Sequence, residues 1–226
     1  MNKIAILAAL AAFALPGAAQ ADESKVNVSA TLTGATDYVW RGVSQSNEKP
    51  AVFAIVNASM GGFYVGGETE NVDFAGINQE YDLWGGYVFN LGKAKLDLGV
   101  VRYGYVDAPA KIDTLEVKAG LSGQIGKVGL GVTGYHTWNY FGTHRDATYV
   151  EANASLAVTD KLTLSGAVGR QQIEVLPDYT TWNLGASYAV LPGASVSVRY
   201  HDTDDSGVLF GDLGKGRVVG SFSVTF

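Results

Sequence analysis

The sequence predicts an all-β protein, a transmembrane antiparallel up-and-down β-barrel of about 12 strands. Hydrophobicity alternates with a period of two along nearly the whole chain after residue 25, as in strands with one apolar face. The links between these segments are alternately tight and long. Glycine (29 of 226 residues) and tyrosine (12) are both abundant, which suits strands that meet a membrane boundary.

The alternation is clearest in the last nine residues, where Val218, Phe222 and Phe226 share one face and Ser221 and Thr225 the other. Twelve segments of this kind are expected, at residues 26–41, 51–60, 63–70, 79–89, 95–105, 114–122, 128–140, 147–158, 162–170, 179–190, 194–202 and 216–226. Because an unpaired backbone group is costly in hydrocarbon, the sheet must close, and the first and last segments should pair.

The connections predict two different ends of the barrel. Tight links are expected at 61–62, 90–93, 123–127, 159–161 and 191–193, and longer polar loops at 42–50, 71–78, 171–178 and 203–215. An even number of strands with short turns at one end and long loops at the other is typical of outer-membrane barrels.

The main alternative is a secreted soluble β-sandwich or lipocalin-like barrel, which also alternates. Large ionised residues on the polar face favour a wet lumen, and aromatic residues gather at both tips of the apolar face, as in a membrane interface. These aromatic residues are Tyr38, Trp40, Tyr103, Tyr105, Trp138, Tyr140 and Tyr200 at the long loops, and Phe63, Tyr87, Phe89, Tyr188 and Phe226 at the tight turns.

The segment 95–105 leaves one question open. Arg102 shares a parity with Leu96, Leu98 and Val100, which are apolar. Either Arg102 lies at the rim of the barrel or a β-bulge exchanges the two faces.

The first 21 residues have the pattern of a cleaved secretory signal peptide. Lys3 precedes an apolar stretch from Ile4 to Leu15, and Ala19-Gln20-Ala21 fits a cleavage site. The apolar stretch is too short to span a bilayer, which needs about 20 helical residues. Residues 22–226 are then expected to form a β-barrel in the cell outer membrane of a Gram-negative bacterium.

Composition excludes several functions. The chain has no cysteine, so it has no disulfides, thiol nucleophiles or cysteine-ligated metals. A net charge of −6 makes nucleic acid an improbable partner. The acidic run 202–207 resembles a calcium loop but has Leu213 where the bidentate glutamate belongs, so no metal site and no cofactor are expected.

Charged residues on the polar face are the candidate pore lining. They are Asp37, Arg41, Glu68, Glu70, Glu80, Asp82, Glu116, Lys118, Glu151, Arg199 and His201. Acids outnumber bases, and carboxylates in a pore favour cations, so we expect a channel for small solutes or ions with a mild cation preference. Equally, these charges could only neutralise one another across the lumen. Glu80 or Glu68 is the guessed partner of Arg41.

Two other functions remain open at this stage. The first is a barrel enzyme acting on lipid or lipopolysaccharide, with His136 on the lipid-facing parity as its base, although an interfacial histidine is the simpler interpretation. The second is a closed structural barrel. We expect the protein not to be an enzyme.

Several short runs of the sequence match the pattern of a known family. They are Asp37 to Ser46, Lys49-Pro50-Ala51-Val52, Gly62 to Gly66, Asn71 to Phe74, and Glu80-Tyr81-Asp82 with Gly85-Gly86-Tyr87. In these runs the chain resembles the TorF family of porin-type proteobacterial outer-membrane proteins. The likeness is specific over residues 34–90 and architectural beyond. It implies an outer-membrane β-barrel but no particular substrate.

The expected partners follow from the barrel. They are outer-membrane lipid and lipopolysaccharide, small solutes or ions, and the barrel assembly machinery. The last residue, Phe226, ends a period-two strand and resembles the signal that this machinery reads.

Overall fold

The computed structural model describes residues 25–204 and 209–226, so the expected signal peptide (1–21) lies outside the described residues. Most of the described residues lie in strands, and no helix among them is long and apolar enough to cross a membrane. The strands are β1 (Asn27–Ala35), β2 (Val39–Trp40), β3 (Val43–Ser44), β4 (Ala51–Met60), β5 (Phe63–Phe74), β6 (Ile77–Leu91), β7 (Ala94–Tyr105), β8 (Thr114–Ile125), β9 (Val128–Thr137), β10 (Ala147–Ala157), β11 (Leu162–Ile173), β12 (Tyr179–Leu191), β13 (Ala194–Thr203) and β14 (Arg217–Thr225). Short 3-10 helices occur at Tyr140–Gly142 and Gly211–Gly214.

Twelve of these strands close into one antiparallel barrel, in the order β1-β14-β13-β12-β11-β10-β9-β8-β7-β6-β5-β4. The first and last barrel strands pair, with Thr31 opposite Thr225 and Ala35 opposite Ser221. Closure leaves no sheet edge, which is the requirement for a sheet in hydrocarbon. The predicted fold class, strand number and terminal pairing are confirmed.

The two faces of the barrel differ as the alternation predicts. Leu184 on β12 and Phe222 on β14 point outward and are 68% and 50% exposed. On the inner face, hydroxyl groups of adjacent strands bond in pairs, such as Thr33 with Ser223 and Ser197 with Ser221. The apolar surface is therefore outside and the hydrophilic surface is inside.

The five predicted tight links are turns, and glycine has positive φ in four of them: Gly61, Gly92, Gly126 and Gly193. The longer loop expected at 71–78 is wrong. β5 continues to Phe74, and Ala75 (φ 50°) and Gly76 (φ 79°) turn directly into β6. Positive φ at both central residues is the two-residue hairpin turn that matches strand twist.

The first predicted segment, 26–41, is too long. β1 ends at Ala35, and the chain then turns into the barrel, where β2 and β3 form a small hairpin. Arg41 (φ 46°) and Gly42 (φ 82°) are its tight turn. The period-two pattern continues across this break because the inner hairpin is also extended, and we call residues 36–50 the inner segment.

Several aromatic residues expected at the membrane interface instead lie inside. Tyr38 and Trp40 belong to the inner segment, and Tyr103 is 2% exposed in the lumen with Tyr105 on the same parity. By contrast, outward exposure of Trp138, Tyr200, Phe63, Phe89, Tyr188 and Phe226 agrees with the prediction.

The open question at Arg102 is answered by β7, which pairs with β6 and β8 without a register shift. Arg102 therefore lies on the outer face at the long-loop end, where it binds Asp113 at 2.5 Å. No bulge exchanges the faces, and Val101 and Tyr103 point inward because their parity is opposite to that of Arg102.

Candidate functional site: a constricted lumen

The inner face carries all the charged residues that the sequence singles out on the barrel strands, and the inner segment carries the other two, Asp37 and Arg41. Eight of the eleven are buried: Asp37, Arg41, Glu70, Glu80, Asp82, Glu116, Lys118 and His201. Glu68, Glu151 and Arg199 are partly buried. The candidates are not spread evenly, and they form separate groups around the inner segment.

The base of the inner segment is fixed by Asp37. The hydroxyl groups of Ser44 and Ser46 donate to Asp37 Oδ1 at 2.7 and 2.8 Å. Arg217, at the start of β14, donates to Asp37 Oδ2 at 3.0 Å. Charge-assisted hydrogen bonds are stronger than neutral ones. Asp37 therefore ties the start of the hairpin to Ser44 and Ser46 at its end.

The tip of the inner segment is fixed by Arg41. Its guanidinium donates to both carboxylate oxygens of Glu116 on β8, at 3.0 and 2.5 Å, and to Gln171 Oε1 on β11 at 2.9 Å. The guanidinium carbon also lies 4.2 Å from the ring centroid of Trp40 and 4.4 Å from that of Tyr149. The guessed partners Glu80 and Glu68 are wrong, because the hairpin crosses the lumen to the far wall.

The sides of the hairpin are packed as well. Trp40 makes edge contacts with Tyr103 and Phe141, each with ring centroids 5.6 Å apart. On the other side, a Cβ added at Gly42 would collide with Thr181 and Thr203. The inner segment therefore fills the lumen at its own level and forms a constriction.

Four carboxylates line one wall beside this constriction. β5 and β6 place Glu68 opposite Asp82, and Glu70 opposite Glu80, on the inner face. Within the described residues none of the four is in an ion pair. Directly opposed like charges destabilise a strand pair. Repulsion between these carboxylates is therefore expected to destabilise the pairing of β5 with β6. We call these four residues the acidic wall.

The bases, in contrast, are matched. Lys118 binds Asp97 at 2.6 Å, and the Tyr64 hydroxyl donates to the same carboxylate at 2.7 Å. Arg199 donates to Asn183 and to Ser165. The negative charge of the lumen is thus concentrated on the acidic wall, with Glu151 hydrogen-bonded by Tyr149 at 2.9 Å.

Sequence reasoning missed four contributors: Asp97, Gln171, Arg217 and Tyr64. Asp97 lies on the inward face of β7. The sequence did not show which face of this segment points inward, because Arg102 shares its parity with apolar residues. Gln171 lies beyond the predicted end of its strand, which in fact continues to Ile173. Arg217 was detectable, since it shares the parity of Ser221 and Ser223.

His136 has no catalytic surroundings in the described parts of the chain. Its Nδ1 lies 2.9 Å from the Thr148 hydroxyl, and its ring contacts Trp138 edge-on with centroids 4.7 Å apart. A hydrolase base needs a nucleophile and an orienting acid within hydrogen-bond reach. The histidine is instead part of the aromatic rim.

A family model matches residues 18–226 and describes a bacterial protein of unknown function, Gcw_chp. The chain belongs to the Gcw_chp family. The family description names no activity, and no curated protein sequence matches this chain.

Solved structures of outer-membrane channels share the fold of this Gcw_chp protein. The KdgM porin matches with a TM-score of 0.63 at 8% identity, covering 88% of this chain and 98% of that chain. The NanC porin matches with 0.63 at 12% identity, covering 87% and 98%. The COG4313 outer membrane channel from Pseudomonas putida F1 matches with 0.52 at 9% identity, covering 90% and 96%.

Proposed function

We propose that this protein is an outer-membrane channel for passive diffusion of small solutes or ions, with the inner segment as its constriction. A polar, charged lumen inside an apolar exterior carries the proposal, because such a barrel places its apolar side chains in lipid and its charges in water. The protein would reside in the outer membrane of a Gram-negative bacterium after cleavage of residues 1–21. The resemblance to TorF porins over residues 34–90 supports the same assignment.

Assembly and surroundings belong to this proposal. Phe226 is 75% exposed on the outer face, and its backbone exchanges hydrogen bonds with Ala30 of β1 at 2.8 and 3.3 Å. The residue that would be read by the assembly machinery therefore lies at the seam where the barrel closes. The apolar outer face would contact lipid and lipopolysaccharide.

Within the channel, we propose that the acidic wall gives a mild cation preference. Glu116, Asp97 and Asp37 are each paired with a base, so they contribute little net charge. Among the described residues no base pairs with the acidic wall, and unpaired carboxylates in a pore attract cations.

Neutralising Glu80 should reduce this preference. Reversal potentials of the refolded protein in planar bilayers under a KCl gradient should favour K⁺, and Glu80→Gln should shift them toward zero. Asp160→Asn, in an exposed turn at the tight-turn end, is the matched control and should leave the potential unchanged. Anion selectivity of the wild type, or an unchanged potential in Glu80→Gln, would contradict the proposed selectivity.

The filled cross-section favours one other function, a closed structural barrel. In that case the wild type, with its inner segment in place, would show no conductance. The bilayer recordings therefore separate the two functions.

A further inference from the structure

The acidic wall has a feature that selectivity does not require. Both carboxylate oxygens of Glu70, with Glu80 Oε2 and Asp82 Oδ1, are buried and accept no hydrogen bond from any residue in the described ranges. Glu70 is 3% exposed and Asp82 is 2% exposed. Buried polar groups in native proteins are nearly always satisfied, so these oxygens point to a missing partner.

The geometry of these oxygens indicates what that partner is. One carboxylate oxygen from each of Glu68, Glu70 and Asp82 lies within 4.8 Å of the others. Two ligands on opposite sides of a Ca²⁺ ion, bonded at about 2.3–2.6 Å, are about 4.6–5.2 Å apart. The three oxygens therefore fit one coordination sphere without movement of the backbone.

The chemistry is equally specific. The site offers only oxygen ligands, which suit hard divalent cations rather than Zn²⁺ or Cu²⁺. Glu80 is the fourth carboxylate and lies opposite Glu70 across the strand pair, where it can supply a further ligand or negative field.

We propose that Glu68, Glu70 and Asp82 form a calcium-type divalent cation site in the lumen, beside the inner segment. The ion cancels the repulsion between two directly opposed carboxylate pairs, and it satisfies buried oxygens of Glu70 and Asp82 that accept no hydrogen bond from any described residue. Cation binding does not depend on conduction, so a binding measurement can contradict the cation site without contradicting the channel function, and a conductance measurement can do the reverse. Tyr38 of the inner segment and Tyr105 of β7 lie beside these carboxylates and place the ion next to the constriction.

Terbium luminescence tests the site directly. Tb³⁺ takes the place of Ca²⁺ at oxygen sites, and the neighbouring tyrosines make it emit when they are excited. Refolded protein free of lipopolysaccharide should show saturable emission that Ca²⁺ displaces. Glu70→Gln should weaken binding by about tenfold or more, since it removes the negative charge of a direct ligand and leaves only a neutral amide oxygen. Asp82→Asn should do the same.

Glu151→Gln is the matched control, because it neutralises a lumen carboxylate outside the acidic wall. Its affinity should equal that of the wild type. Heat-modifiable migration on gels verifies that each variant is folded, and removing repulsion should leave Glu70→Gln at least as stable as the wild type without metal. Absence of saturable emission, or equal affinity in wild type, Glu70→Gln and Asp82→Asn, would overturn the proposal.

Discussion

Replacing Arg41 by alanine should raise the conductance of the barrel severalfold. The guanidinium is the only group of the hairpin tip that neutralises Glu116 among the described residues, and the carboxylate is 1% exposed. Removing one member of a buried ion pair typically costs about 3–5 kcal/mol because the other charge stays uncompensated. We expect the inner segment to leave the far wall, and single-channel recording measures the result.

Arg102→Ala is the matched control for this experiment. It also deletes an arginine that binds a carboxylate at 2.5 Å, but at the exposed outer rim. Exposed ion pairs contribute at most about 1 kcal/mol, so conductance should not change. A folded Arg41→Ala barrel that conducts like the wild type would show that the inner segment does not limit the passage.

Placing a charge at the middle of the outer face should prevent stable insertion. Leu184 is near the centre of β12 and points away from the lumen. An arginine at the bilayer midplane costs about 2–4 kcal/mol in a β-barrel. Leu184→Arg should therefore lower the free energy of unfolding by that amount, as measured by denaturant titration in lipid vesicles.

Val190→Arg tests the dependence on depth. Val190 is on the same strand and face, next to the turn that leads to β13. Close to the interface the cost falls to about 0–1 kcal/mol, because the side chain reaches water. Equal destabilisation by the two variants, or none by either, would argue against an apolar face in lipid.

The fold was predictable because its signal is local. Alternation within each strand defines which side chains face lipid, and turn residues define where strands end. This is why β4 was predicted with correct bounds at residues 51–60. The signal fails where an extended segment is not part of the barrel. Residues 37–41 alternate like β1, and only the Arg41-Gly42 turn distinguishes an inner hairpin from a longer strand.

The candidate site was predictable only in part, because parity gives direction but not distance. Parity correctly predicts that Glu116, Glu70 and Asp82 point inward. It does not reveal that Arg41 meets Glu116, which is 75 positions away and on the opposite wall. The acidic wall depends on the register of β5 and β6, which is set by the short turn at residues 75–76 together with the β-bulge between Asn71 and Phe74. That turn was predicted as part of a long loop.

Labelling of a single cysteine tests most directly whether the inner segment lies inside the barrel. The chain has no cysteine, so Val43→Cys and Glu48→Cys each create a unique thiol. Val43 is 5% exposed, whereas the Glu48 side chain is 58% exposed at the outer end of the same segment. A bulky, membrane-impermeant maleimide should modify Glu48→Cys rapidly and Val43→Cys very slowly in the folded protein. Equal rates at the two positions would contradict a constriction built from this segment.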